Sequence, residues 1–91
     1  MTNKKEIAII GGAGHIGTPL GINLGEVGFK TTLIDKNKKN IELINDGSMP
    51  FFEIGAEKIL KKLIKKKKIQ ATNKLQKVEK CKTIIICIGT P

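Results

Sequence analysis

Gly12, Ala13, Gly14, His15, Ile16 and Gly17 follow the pattern G-x-G-x-x-G. Each glycine of such a loop has its own task. Gly12 permits a tight turn, Gly14 lets the backbone approach a pyrophosphate, and Gly17 lets the following helix pack close to the preceding strand. The chemistry on offer is anion binding, because the first turn of a helix carries N–H groups without intrahelical partners and the positive end of its dipole. Asp35 stands further along the chain, where a carboxylate can accept hydrogen bonds from both hydroxyls of an adenosine ribose. Loop and carboxylate together point to a dinucleotide. A 2′-phosphate would be repelled by Asp35, and the chain has no arginine to receive one, so NAD is favoured over NADP. Lys36 alone softens that contrast. His15, the single histidine, sits in a loop that faces pyrophosphate rather than nicotinamide. It is expected to pack or to touch the cofactor beside Ile16, and not to act as an acid or base.

No residue of the chain is assigned a catalytic role, and none a metal. Cys81 and Cys87 are the only cysteines, and they lack metal-ligand spacing. Cys87 lies in an apolar run and is expected to pack as a small hydrophobe with an inert thiol.

A glycine loop carries weight only when a strand precedes it and a helix follows. Residues 6–11 form a short apolar run that reads as a buried parallel strand. Residues 16–27 read as a helix, with Pro19 tolerated in its first turn. Gly17, Gly21 and Gly25 share one face of it, which predicts close helix-to-sheet packing, and Gly28 is a natural terminator. Residues 30–35 make a second strand ending on Asp35. A helix over 37–45, a turn-rich loop over 46–50 and an amphipathic helix over 56–66 follow. Residues 69–72 read as a short strand and 75–80 as a weak helical turn. Residues 82–88, continuous in apolar character, are expected to be a strand buried on both faces.

This alternation predicts an α/β chain with a Rossmann-type parallel sheet, partial, of about four strands in the order 3-2-1-4 with right-handed crossovers. Residues 1–91 read as the N-terminal part of an NAD-binding domain, with substrate and dimerisation domains absent. The fourth strand would then be an uncovered edge, which calls for a partner or for self-association.

The chain carries a net charge of +9, and all 17 of its basic residues are lysine. Specific base readout and bidentate phosphate clamps favour arginine. Stacking platforms need aromatics, and only Phe29, Phe51 and Phe52 are present. A solvated lysine face is therefore expected in place of a specific nucleic-acid surface. The longest apolar run, residues 84–88, is far short of a membrane span, and no signal peptide is apparent, so a cytoplasmic location is expected.

At this point the residues resemble the UDP-glucose/GDP-mannose dehydrogenase family. The glycine loop with Pro19-Leu20 is similar to that family's GxGxxGxPLA segment. Asn45 to Phe51 is similar to its N-x-G-x-x-P loop, and Glu53-Ile54-Gly55-Ala56 with Ile59-Leu60 to its E-P-G-L-x-x-L-L segment. Ile86 to Pro91 is similar to a strand ending in V-x-T-P. The wording of the loop looks closest to members acting on UDP-N-acetylhexosamines. The resemblance implies oxidation of the C6 alcohol of a UDP-sugar to a uronate with NAD. It implies cofactor contacts on Gly12 to Gly17, Asp35 and Thr90, and catalytic residues beyond Pro91. Three positions depart from the pattern: His15 stands where tyrosine is common, Ile54 replaces a proline, and Asn40 stands where a lysine or arginine often reaches the adenosine side. Two other readings compete: a non-catalytic NAD-binding module that works with a partner chain, and the NAD segment of another two-domain dehydrogenase.

Overall fold

The computed structural model describes residues 3–87. Four strands form one parallel sheet: β1 (Asn3–Ile10), β2 (Lys30–Ile34), β3 (Ile69–Thr72) and β4 (Cys81–Ile86), in the order β3-β2-β1-β4. Helix α1 (Gly17–Glu26) joins β1 to β2. Helices α2 (Lys38–Asn45) and α3 (Ala56–Lys65) join β2 to β3, and a 3-10 helix over Leu75–Lys80 leads into β4. The order 3-2-1-4 expected from the alternation is the one observed.

Period-two alternation sorts the strands into two faces. Ile7, Ile9, Leu33, Ile69 and Ala71 point to one side and bury against Ile22 of α1, Ile44 of α2, and Leu60 and Leu63 of α3. Ala8, Ile34 and Cys81 point to the other side, where among the described residues Val78 of the 3-10 helix is the one further hydrophobic packed against them. The molecule thus has one thick layer of helices on one face and a thin cover on the other.

That asymmetry corrects the expectation for the last strand. β4 is not buried on both faces: Ile85 packs on the helical side, but Ile84 is 45% and Ile86 62% exposed. An apolar run signals burial only when something lies against both faces, and among the described residues the second is covered only at its Cys81 end, by Val78. The strand also begins at Cys81, and residue 88 lies outside the described residues. β1 starts earlier than expected, at Asn3, because Asn3 pairs with Cys81 before a register shift leads to the Ile7–Thr83 pair.

All three α-helices stop the same way. Each ends on a residue of positive φ whose N–H reaches back three residues, while the next N–H reaches back five. In α1 these are Gly28 (φ 106°) to Gly25 and Phe29 to Leu24; in α2, Gly47 (φ 83°) to Ile44 and Ser48 to Leu43. In α3 the left-handed position is held by Lys67, φ 59°, with N–H bonds from Lys67 to Ile64 and from Lys68 to Leu63.

The outer edge of β3 is closed by a side chain. Asn45 donates from Nδ2 to the Ala71 carbonyl at 2.8 Å and accepts the Ala71 N–H on Oδ1 at 2.9 Å. Its amide stands in for one residue of a neighbouring strand, satisfying groups that an edge otherwise leaves open.

Candidate functional site

The chain leaves β1 through Gly11, whose φ of 81° is the left-handed turn of the loop. The Gly11 and Gly12 N–H groups both donate to the Ile34 carbonyl, at 2.7 and 3.1 Å, tying the loop to the end of β2. Gly12 is buried beneath the loop and is glycine for want of space: a Cβ there would lie 2.7 Å from Leu33 Cβ and 2.8 Å from the Ile9 carbonyl oxygen. The tight turn thus falls one residue before the position expected for it. Gly17 is constrained in the same way, since a Cβ would lie 2.5 Å from the Gly11 carbonyl oxygen and 2.7 Å from Gly12 Cα. The glycine stripe continues with Gly21 against Leu33 of β2 and Gly25 against Leu63 of α3.

Gly14 is different. A Cβ built there meets nothing closer than the Gly11 carbonyl oxygen at 3.5 Å, an ordinary contact, and its φ is not positive. The fold itself does not require this glycine, so its reason lies in what the backbone faces. Beyond it, the N–H groups of His15, Ile16 and Gly17 have no acceptor among the described residues, whereas the next, Thr18 N–H, already bonds to the Gly14 carbonyl at 3.1 Å. Thr18 also fixes the loop from within, its buried hydroxyl donating to the Gly12 carbonyl at 2.7 Å.

Ala13 is held from both ends of its residue. Its N–H donates to Asp35 Oδ2 at 3.0 Å, and its carbonyl accepts from Asn40 Nδ2 at 3.0 Å. Asp35 Oδ1 accepts the Asn37 N–H at 3.1 Å, and Asn37 in turn caps α2 by accepting the Asn40 N–H at 3.0 Å. Each Asp35 oxygen keeps a second lone pair for a further donor. Asn40, which departs from the basic residue common in the family, thus binds the loop to α2.

These pieces frame an open cleft of about 1080 Å³ at the carboxyl ends of the strands. Gly14, His15, Ile16 and Gly17 line it on the loop side, and Asp35 and Lys36 where β2 ends. Ile10, Ile86 and Cys87, at the ends of β1 and β4, form its apolar floor. The chain passes from β1 to β2 on one side, and β4 lies on the other. The cleft therefore sits at the point where the strand order reverses, the usual place for a ligand in an open α/β sheet. Of the residues expected to contact a cofactor, six line this cleft, Gly12 underlies it, and Thr90 lies outside the described residues.

His15 is exposed and stacks on Phe51, with ring centroids 4.4 Å apart and planes at 18°. Phe51 was not marked by its own spacing, since its partner lies in a loop distant in sequence. Cys81 is buried, and that burial, with the Glu6 carboxylate adding to it, pushes its thiol above the ordinary value of 9.0. A thiol held protonated in this way is a poor nucleophile. Among the described residues no three His, Cys, Asp or Glu side chains come together as a metal site, and no helix is long and apolar enough to cross a membrane.

The free N–H groups, the glycine without a steric reason and the carboxylate beside them suit a dinucleotide, and comparison with known proteins agrees. The model of the UDP-glucose/GDP-mannose dehydrogenase family, NAD binding domain, matches residues 5–91. The chain is 30% identical over 88 residues to UDP-glucose 6-dehydrogenase TuaD of Bacillus subtilis, covering 96% of this chain and 19% of that protein. The crystal structure of GDP-mannose dehydrogenase from Pseudomonas aeruginosa superposes with a TM-score of 0.89 at 30% identity, over 93% of this chain and 20% of that one. UDP-D-ManNAc dehydrogenase from Pyrococcus horikoshii superposes at 0.88 with 28% identity, over 94% and 20%. The chain spans about a fifth or less of the length of the relatives it matches.

Proposed function

Because the chain belongs to the UDP-glucose/GDP-mannose dehydrogenase family, as its NAD binding domain, we propose that the cleft at the ends of β1, β2 and β4 holds NAD with defined contacts. The pyrophosphate lies over Gly14, against the N–H groups of His15, Ile16 and Gly17. The adenosine ribose hydroxyls donate to Asp35, whose position is fixed by the Ala13 and Asn37 N–H groups. Gly12 and Gly17 keep the loop low enough for that approach, Lys36 flanks the ribose, and the family resemblance adds Thr90 as a further contact. The observation that supports the reading is the set of three loop N–H groups without an acceptor among the described residues, beside a glycine the fold does not need.

The activity proposed for the whole protein is oxidation of the C6 alcohol of a UDP-sugar to the uronate, in the cytoplasm, toward polysaccharide building blocks. Relatives named for UDP-glucose, GDP-mannose and UDP-D-ManNAc match at 30%, 30% and 28% identity, which supports a nucleotide sugar as the substrate class. When bound, NAD supplies the hydride acceptor. This chain's residues bind and orient it, and the sugar-binding and catalytic groups lie in further sequence. The thin second face of the sheet and the open edge of β4 support self-association or pairing with more of the protein.

Titration of the chain with NADH and with NADPH tests the site. NADH is expected to bind more tightly, and Asp35→Ala to erase the difference. Tighter binding of NADPH by the unaltered chain would overturn the assignment. The 91-residue chain alone is expected to produce no NADH from NAD and any UDP-sugar.

A further inference from the structure

The loop between α2 and α3 carries more fixed contacts than a connection needs. Gly47 is closed over by Lys61, whose Nζ donates to the Gly47 carbonyl at 2.9 Å. Met49 N–H donates to Glu57 Oε1 at 2.9 Å. Asn45, just before it, is locked to Ala71 of β3. The loop is anchored at its start to the sheet and along its length to α3. The residue this anchoring delivers is Phe51, half-buried, with its ring on the His15 imidazole.

His15 lines the cofactor cleft and Phe51 does not. The phenyl ring lies on the imidazole from a hollow that Phe51 lines with Met49 and Phe52. His15 is also the first of the three residues whose N–H groups are free, so the orientation of its side chain and that of its peptide are linked through one Cα. Without Phe51 the exposed imidazole has no ring to rest on, and the peptide groups after Gly14 have one restraint fewer.

We propose that Phe51 is a positioning residue for NAD: by stacking on His15 it holds the 14–17 backbone in the arrangement that meets the pyrophosphate. The inference rests on the assignment of the cleft to NAD. A nearly parallel aromatic pair is sufficient for such a role, because ordering the loop beforehand removes part of what binding would otherwise have to fix. The interaction lies between two rings, so any planar aromatic at residue 51 serves and an aliphatic one does not.

NMR titration of the full 91-residue chain with NADH and, separately, with adenosine carries the test. Phe51→Leu is expected to weaken NADH roughly two- to tenfold, with adenosine, which lacks the pyrophosphate, unchanged. Phe51→Tyr is expected to restore NADH binding. In a His15→Ala background, Phe51→Leu is expected to add nothing further. An unaltered chain that binds no NADH would overturn the cleft assignment itself. NADH binding unchanged by Phe51→Leu, or weakened equally with and without His15, would overturn the positioning role while leaving the cleft intact. Amide spectra of each variant identify any that fails to fold. Phe51→Tyr that folds and yet binds as poorly as Phe51→Leu would also overturn it.

Discussion

Gly14 and Gly17 stand three residues apart in one motif and are glycine for different reasons. Gly17 has the Gly11 carbonyl and Gly12 Cα in the place of a side chain, whereas a Cβ at Gly14 would make only an ordinary contact with the Gly11 carbonyl oxygen. Gly17→Ala is therefore expected to destabilise the fold by about 1–3 kcal/mol, the range for forcing atoms into filled volume. Gly14→Ala is expected to leave stability unchanged or to raise it by up to about 1 kcal/mol, since alanine restricts the unfolded chain. It should nonetheless weaken NADH roughly tenfold, or about 1.4 kcal/mol. Urea denaturation and NADH titration of the two variants check this. Equal losses of stability would show that both glycines serve the fold alone. The motif's pattern contains both residues, but not this division between them, because spacing in sequence does not state which side of a peptide faces protein and which faces a ligand.

At the scale of elements, the helix ends are the informative places. α1 and α2 stop on glycines, while α3 stops on Lys67 in the left-handed region, where a Cβ meets the carbonyl that follows it. Lys67→Gly is expected to raise stability by about 1 kcal/mol, read as a higher urea midpoint at an unchanged slope, with Lys67→Ala near neutral. A loss of stability on Lys67→Gly would contradict the strain argument. The elements themselves were legible: β3 matches its expected bounds, and α1, β2, α2 and α3 fall within a residue of theirs. Apolar periodicity and glycine or asparagine punctuation report local geometry well. Lys67 was not legible as a terminator, since the lysine run over 65–68 reads as one solvated stretch and only the pattern of N–H bonds singles out one member. Nor was the Asn45 amide at the β3 edge, whose partner is a backbone group brought alongside by the crossover.

The whole molecule is lopsided. Its three α-helices lie on one side of the sheet, and Ile84 and Ile86 are exposed on the other, next to the edge of β4 that no described strand pairs. Sequence could announce an apolar β4 but not what, if anything, lies on it, because that depends on matter outside the strand. An apolar strand with a free edge recruits another chain unless its charges prevent it, and here Lys82 is the only charge within β4. Light scattering of the purified chain is expected to show association at high concentration, relieved in the Ile84→Lys/Ile86→Lys double variant. A monodisperse monomer of the unaltered chain would refute this. The strand order has a consequence in time as well as in space. β1 leaves the ribosome before β2 and β4, yet it is flanked by both, and its pairing of Ile7 with Thr83 joins residues far apart in sequence. β2 and β3 can dock on one side of β1 while synthesis continues. The other side of β1, and with it the floor of the cleft between Ile10 and Ile86, stays unmade until β4 emerges. The proposed cofactor cleft thus exists only once β4 is made, so a nascent chain arrested before β4 would carry the glycine loop without a pocket beneath it.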